Sequence, residues 1–365
     1  MRTRNIILIF VASLLVGGTL GFIITGFATS GTIENSFSFY YETSPSTIED
    51  LDLSADIGKI DIQYNSSATP YIVEIQVDLQ ISGLFVAGRK YTNFFTPSSE
   101  WWENITSPTS FDMKVKPGAW FDPSHWFSSY NVDVIVILRS DVIYNLDTIT
   151  GTGSIDLNTP DNVTLNGVSC LSGTGNVNLD FSNNTKIQSD LYLETGTGSI
   201  VVNSEGTNFT NGIIADTGTG GIELNFNECI MGYDIFASTG TGDIELNSIN
   251  MEYYINCDLS LETGTGKITL LINQDAGMGA NVTGLLKTGT GGIDITYEDT
   301  SSLVGASFFG DTGTGNFNRI NSGGFEDPSY NPFDSIDFYT SIYNYDFNLE
   351  TGTGNIKVDG TSIGP

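Results

Sequence analysis

The sequence predicts an all-β protein, a parallel β-solenoid (β-helix) of about ten coils that follows one N-terminal transmembrane helix. Three observations support this prediction. A Thr-Gly-Thr-Gly phrase recurs along the chain, apolar and polar residues alternate on both sides of it, and one long uncharged stretch lies near the start. The first two copies, at Gly151 and Gly173, are 22 residues apart. A unit this short cannot bury its own apolar face, so stacked copies must provide the core.

The uncharged stretch, residues 6–28, is long enough to cross a bilayer as a helix. Arg2 and Arg4 precede it and the next charge is Glu34, a pattern that keeps the N-terminus (residues 1–5) in the cytoplasm and the C-terminal body outside it. A cleaved signal peptide is the alternative, although its apolar core is usually only about 7–15 residues long. We expect a single-pass protein of the cell membrane.

After the anchor we expect a tether at 29–46, a solenoid at 47–360 and a tail at 361–365. The tether shows no helical period. The solenoid begins with a degenerate copy of the phrase, Ala55-Asp56-Ile57-Gly58-Lys59-Ile60, and with period-two alternation from Tyr71 to Ile81, which is typical of half-buried strands.

An aromatic insert at 82–129 interrupts this pattern and contains all four tryptophans. Exposed rings of this kind can stack on sugars or dock a partner protein. The candidate ligand- or partner-binding residues are therefore Trp101, Trp102, Trp120 and Trp126. The alternative is a cap, because an open solenoid end exposes strand edges and core that need a cover.

Nine copies of the phrase follow, one of which begins with Ser172 in place of threonine, and their first glycines are Gly151, Gly173, Gly196, Gly218, Gly240, Gly264, Gly289, Gly313 and Gly352. Apolar residues stand two and usually four positions after the second glycine, which predicts a strand with one inward face. Glycine can adopt positive φ where the chain turns sharply. The predicted structural corners are Gly151, Gly153, Gly196, Gly198, Gly218, Gly220, Gly240, Gly242, Gly264 and Gly266. We expect the second threonine of each phrase to stack in one column.

The last interval, from Gly313 to Gly352, is 39 residues, so it contains an insertion near 321–336. Its Gly-Gly pair and two prolines indicate a loop. We expect this loop to project between the last two coils.

The composition excludes several functions. With 13 basic and 43 acidic residues, the net charge of −30 argues against nucleic acid as a partner. One histidine and three cysteines make a His-based triad, a His-rich metal site and a disulfide framework improbable. Acidic residues before the phrase form a partial column that could hold weakly bound Ca²⁺, with a solvated face as the alternative: Glu194, Asp216, Glu262, Asp311 and Glu350, interrupted by Ser238 and Lys287. We expect no other cofactor.

The run from Tyr144 to Leu157, with Thr150-Gly151-Thr152-Gly153-Ser154-Ile155 at its centre, resembles the entry repeat of the prokaryotic "putative adhesin" β-strand-repeat family. The resemblance covers roughly residues 36–360. It implies a β-solenoid at the cell envelope, and it supplies no catalytic residues. The aromatic insert departs from a plain version of the family pattern.

We therefore expect a non-catalytic, membrane-anchored surface protein that binds an envelope glycan or a surface protein, or acts as a scaffold. Two alternatives remain open. One is a carbohydrate-active solenoid enzyme, a polysaccharide lyase or hydrolase, which would need two carboxylates facing each other in a cleft. The other is a purely structural rod that assembles with copies of itself.

Overall fold

The computed structural model describes residues 29–42, 48–65, 70–103, 109–118, 123–301 and 303–363. In these ranges the chain is almost entirely β-structure, built mainly from two long, largely parallel sheets. The described ranges contain no helix that is both long and apolar enough to span a bilayer. The predicted anchor at 6–28 lies outside them.

Sheet A contains thirteen strands. In spatial order they are β1 (Gly31–Tyr41), β4 (Val73–Gly83), β7 (Ser128–Arg139), β3 (Lys59–Asn65), β9 (Ile155–Thr159), β11 (Val177–Phe181), β14 (Ile200–Glu205), β17 (Ile222–Asn227), β20 (Ile244–Ile249), β23 (Ile268–Gln274), β25 (Ile293–Asp299), β30 (Ile356–Ser362) and β27 (Phe317–Gly323).

Sheet B contains the strands that lead into each corner. They are β2 (Glu49–Ile57), β8 (Tyr144–Thr152), β10 (Thr164–Thr174), β13 (Leu191–Thr197), β16 (Ile213–Thr219), β19 (Ile235–Thr241), β22 (Cys257–Thr265), β24 (Val282–Thr290), β29 (Tyr343–Thr353) and β26 (Val304–Thr314).

Short elements complete the fold. A ladder of two-residue strands lines the return segments: β12 (Lys186–Ile187), β15 (Asn208–Phe209), β18 (Ile230–Met231) and β21 (Glu252–Tyr253). The two inserts hold 3-10 turns at Tyr91–Asn93 and Ser98–Glu100, strands β5 (Trp102–Glu103), β6 (Thr109–Met113) and β28 (Phe333–Asp334), and the short helix α1 (Pro123–Trp126).

A strand of sheet B, the glycine corner, a strand of sheet A and the return segment form one turn of the chain, which we call a coil. Equivalent strands of neighbouring coils pair in parallel and in register, as Ile200 does with Ile222. Inward side chains such as Leu193, Ile200 and Val202 are fully buried. The predicted alternation therefore produces one continuous core between the two sheets.

The corner is a stack of glycines. Gly220 has φ +146°, and a Cβ on it would lie 1.9 Å from the carbonyl oxygen of Gly198 in the preceding coil. A Cβ on the first glycine, Gly218, would lie 2.7 Å from the carbonyl oxygen of Gly196. No side chain fits at either glycine of the phrase, because the backbones of successive corners lie directly on one another.

The two threonines of the phrase differ in role. The second threonines pair in register, as Thr197 does with Thr219, but they are exposed. The first threonine is buried and donates its hydroxyl to the second glycine of the preceding coil, as from Thr217 Oγ1 to the carbonyl oxygen of Gly198 at 2.9 Å. The buried column that fastens the coils is therefore the first one, which the sequence analysis did not single out.

The predicted tether at 29–46 needs correction, because most of it is strand β1. β1 pairs antiparallel with β4 along its whole length, and Phe37 and Phe39 pack against the core on the same side of the strand. β4 pairs antiparallel with β7, which runs parallel to β3. The degenerate copy at 55–60 forms a true coil, since β2 and β3 pair with β8 and β9 of the first full copy.

The coil order at the C-terminal end also differs from the prediction. β29 lies between β24 and β26, and β30 lies between β25 and β27. The last coil in sequence is therefore inserted between the two coils that precede it. The insertion does not project between the last two coils. It folds against β26 through β28, and its Phe325 stacks on Phe333 to cover the end of the core.

Candidate binding groove

An open groove of about 800 Å³ runs along the outer face of sheet A. It crosses the strands of successive coils from β11 to β23 and is lined mainly by asparagines, acids and small patches of apolar surface. Parallel strands are about 4.8 Å apart, so these five strands give it a length of roughly 20 Å. A groove of that length suits an extended, polymeric ligand better than a small molecule.

The middle of the groove is a ladder of amides. Asn203 donates its amide to Asp180 at 2.7 Å, Asn225 donates to Asn203 at 2.8 Å, and Asn247 donates to Asn225 at 2.7 Å. Each residue stands five positions after the second glycine of its phrase. The ladder ends at Leu271, which occupies the next position in register. The in-register stacking places identical side chains side by side, and this aligns their amide groups.

The ladder presents acceptors to solvent. Asn225 and Asn247 each make a second bond from the same amide nitrogen, to Glu223 at 2.8 Å and Glu245 at 3.1 Å. Both N–H groups of these amides therefore form hydrogen bonds within the protein, while their oxygens keep free lone pairs. With Asp180 and Glu205 also lining the groove, its outer surface accepts hydrogen bonds and carries negative charge.

A second groove of about 540 Å³ lies on the outer face of sheet B. Phe236 and Phe309 contribute to its lining and are each exposed by more than two fifths. Phe236 and Phe309 lie four strands apart in the sheet, which corresponds to roughly 19 Å. This apolar groove was not foreseen, although the outward apolar residues on either side of the inward columns were visible in the sequence.

The acidic residues that precede the phrase pair in register between neighbouring coils and form the predicted column. Glu194 and Asp216 are neighbours, and Lys287 forms an ion pair with Glu350 at 3.3 Å. Among the described residues, no group of three or more His, Cys, Asp and Glu is arranged to hold a metal ion. Ca²⁺ on this column remains a prediction.

The tryptophans predicted to bind a ligand have different surroundings. Trp101 is 1% exposed and packs edge-on against Phe37 at 5.1 Å, with its indole N–H donated to Thr96 at 2.8 Å. Trp102 is half-buried beside Phe39. Trp126 is 62% exposed. Trp120 lies outside the described residues. Trp101 therefore belongs to a cap over β1, and Trp126 is the described tryptophan with most surface available to a partner.

The three cysteines are buried and unpaired with one another. Burial raises the pKa of the Cys170 thiol to about 12, and that of Cys257 to about 12. A thiol needs a lowered pKa to act as a nucleophile. The cysteines thus serve as small core residues.

No protein-family model matches the chain, and no curated protein matches it. Two solved structures show distant likeness. One is described as a "putative cell adhesion protein" from Clostridium sporogenes, with 10% identity, a TM-score of 0.26 and coverage of 90% of this chain and 100% of that one. The other is a "putative adhesin" from Bacteroides fragilis, with 10% identity, a TM-score of 0.32 and coverage of 90% and 97%. At this distance neither likeness carries a conclusion about this chain.

Proposed function

We propose that the chain is a non-catalytic, extracytoplasmic β-solenoid, held at the cell membrane by residues 6–28, that binds a neutral glycan in the groove on sheet A. The adhesin-like role is the one that the family resemblance implies. The amide ladder from Asn203 to Asn247 is the observation that carries the choice of ligand.

The chemistry of the groove favours a neutral, hydroxyl-rich polymer. Its amide oxygens and carboxylates accept hydrogen bonds, and the hydroxyls of a sugar donate them. Half-buried Ile249 and Leu271 supply apolar surface beside the polar ladder. Most binding sites combine an apolar lining with a few placed polar groups. Anionic polymers are disfavoured by the carboxylates and by the net charge of −30.

The carboxyl groups that line the groove, those of Asp161, Asp180 and Glu205, are exposed, which favours binding over glycoside hydrolysis. A general acid needs a carboxyl group whose surroundings hold it protonated, while its partner stays ionised. Asp180 is exposed and already accepts the amide of Asn203. The enzyme alternative predicts bond cleavage, so it becomes one outcome of the experiment.

The proposal is tested on intact cells that carry the full-length protein. Fluorescent neutral polysaccharides such as dextran and galactan, and the anionic polymer alginate, are added at equal concentration. We expect saturable binding of at least one neutral polymer, weaker binding of alginate, and loss of the signal after external protease. The Asn225→Leu variant breaks the middle of the ladder and should weaken binding at least 10-fold.

Asn344→Leu provides the control, because Asn344 lies outside the groove. The proposal is contradicted if no neutral polymer binds, if Asn225→Leu binds as well as the unaltered protein, or if the body resists protease until the membrane is opened. Release of new reducing or unsaturated chain ends would favour the enzyme.

A further inference from the structure

A buried polar cluster lies at the C-terminal end of the stack, apart from the groove. Gln274 of β23 and Asp299 of β25 are direct neighbours in register on the inner face of sheet A. Both are 1% exposed, as is Asp337 in the loop between β28 and β29. Tyr297, on the same face as Asp299 and two residues before it, is fully buried beside them. The charge of Asp337 acts on both Tyr297 and Asp299, so this loop residue lies close to the β25 strand.

Acceptors outnumber donors in the cluster, whose one side-chain hydroxyl, that of Tyr297, interacts with Asp299. Asp299 Oδ2, Gln274 Oε1 and both carboxylate oxygens of Asp337 are buried and have no hydrogen-bond partner among the described residues. Asp299 Oδ1 accepts the backbone N–H of Ser301 at 2.6 Å. A buried acceptor without a partner costs about 1–3 kcal/mol, and more when it is charged. Several such oxygens on three side chains are a large uncompensated cost.

The orientation of the Gln274 amide is set independently of the acids. Its nitrogen donates to the carbonyl oxygens of Met251 at 3.1 Å and Ala276 at 2.9 Å. These two bonds require the nitrogen on that side, so the oxygen must face away from them. The unpartnered Gln274 oxygen therefore lies next to the Asp299 carboxylate, and two acceptors cannot hydrogen-bond to each other.

The electrostatics of the cluster agree with this geometry. Burial raises the pKa of Asp299 to about 7, with smaller contributions from Asp337 and Asp275. No Lys, Arg or His among the described residues forms an ion pair with Asp299 or Asp337. A buried carboxylate without a cationic partner must take up a proton or a cation.

We propose that Gln274, Asp299 and Asp337 form a binding site for one Ca²⁺ ion that fastens the terminal loop to the stacked coils. Ca²⁺ takes six to eight oxygen ligands, including carboxylates and amide oxygens, and tolerates irregular geometry. The cluster offers four unpartnered oxygens of these two kinds. Four side-chain oxygens do not fill a shell of six to eight ligands, so backbone oxygens and water would supply the remaining positions.

The test uses the purified full-length protein after treatment with EDTA. Calcium binding is measured by titration calorimetry. Thermal unfolding is followed with and without about 5 mM CaCl₂, a concentration well above the Kd of a sensor-type calcium site. We expect one site per chain and a higher melting temperature with Ca²⁺, because a ligand that binds the folded state stabilises it. Asp299→Asn and Asp337→Asn should each weaken binding at least 10-fold. Asp275→Asn, at an exposed neighbouring acid, should leave it unchanged.

Hydrogen exchange of the unaltered protein locates the ion without relying on the variants. We expect Ca²⁺ to slow exchange at least 10-fold in the backbone amides of 335–341, and to leave the coils at 200–250 unchanged. The proposal is overturned if Ca²⁺ fails to bind, if it protects only the exposed acidic column, or if folded Asp299→Asn and Asp337→Asn bind it normally. Exchange in 335–341 that is insensitive to Ca²⁺ would overturn it as well.

Discussion

The second glycine of each phrase is the residue on which the corner depends. Gly198, Gly220 and Gly242 share φ values near +150°, and the carbonyl oxygen of the preceding coil fills the space that a Cβ would need. The next position is different. Equivalent residues there include Ser199, Gly221 and Asp243, so the backbone accepts side chains at that point.

Gly220→Ala is therefore expected to destabilise the full-length protein by more than about 3 kcal/mol, since positive φ costs about 1–3 kcal/mol before the steric clash is added. Gly221→Ala is the matched control, because its nearest contact would be an ordinary 3.4 Å to the carbonyl oxygen of Asp243. It should change stability by less than about 1 kcal/mol. Urea unfolding followed by circular dichroism measures both. Equal effects at the two positions would show that the corner does not stack as described.

The repeated Gly-x-Gly pattern predicts the corners directly, because eight of the nine second glycines have a positive φ that disfavours other residues. Sequence patterns did not distinguish the two threonines, because residues two apart on a strand share a face, and only the bend at the corner exposes the second threonine. The amide ladder was visible as an asparagine five positions after the second glycine. The spacing alone does not predict hydrogen bonds between these side chains, because outward polar residues are equally compatible with a solvated face.

At the scale of the elements, both ends of the stack are covered by the segments that break the repeat. At the N-terminal end, β1 and the aromatic insert pack together through Trp101, Phe37 and Phe39. At the other end, Arg319 of β27 occupies an inward position of the terminal coil, where its guanidinium lies 4.6 Å from the centre of the Phe317 ring. The same guanidinium donates a hydrogen bond to the backbone carbonyl of Tyr330, so the insertion contacts the terminal coil there.

The cap interpretation of Trp101 predicts a difference between two tryptophans. Trp101→Ala removes a buried ring from the cap and should lower the stability of the protein by about 3–5 kcal/mol. Trp126→Ala alters an exposed side chain and should change it by less than about 0.5 kcal/mol. Thermal unfolding compares the two variants. A Trp101→Ala protein of unchanged stability would contradict the interpretation of Trp101 as part of a cap. Loss of partner binding in a folded Trp126→Ala protein would assign a docking role to the surface around Trp126.

The strand β1 could have been predicted, because apolar residues alternate at Ile33, Phe37, Phe39 and Tyr41. Asn35 interrupts the series, which leaves only three successive alternating positions, at Phe37, Phe39 and Tyr41. The aromatic insert was recognised as a candidate cap from composition alone. Its pairing with β1 depends on contacts between distant parts of the chain, which local patterns do not carry.

For the whole molecule, the order of the coils is the property on which the other structural conclusions rest. The groove requires strands β11 to β23 to be stacked in register, and the cation cluster requires β23, β25 and the terminal loop to meet. Periodicity predicts that coils stack, but it does not predict their order at an end. The interval of 39 residues is long enough to let the chain pass over one coil and return.

The measurement that tests this account most directly is disulfide formation between cysteines placed on the exposed threonine column. Thr353 pairs in register with Thr290 and with Thr314, which places Thr290 and Thr314 two strands apart, at roughly 10 Å. Disulfides need Cα atoms about 4.4–6.8 Å apart. Under mild oxidation, the Thr290→Cys/Thr353→Cys protein should form the cross-link, and Thr290→Cys/Thr314→Cys should not. The reverse result would mean that the coils stack in sequence order, and it would contradict the structure described above.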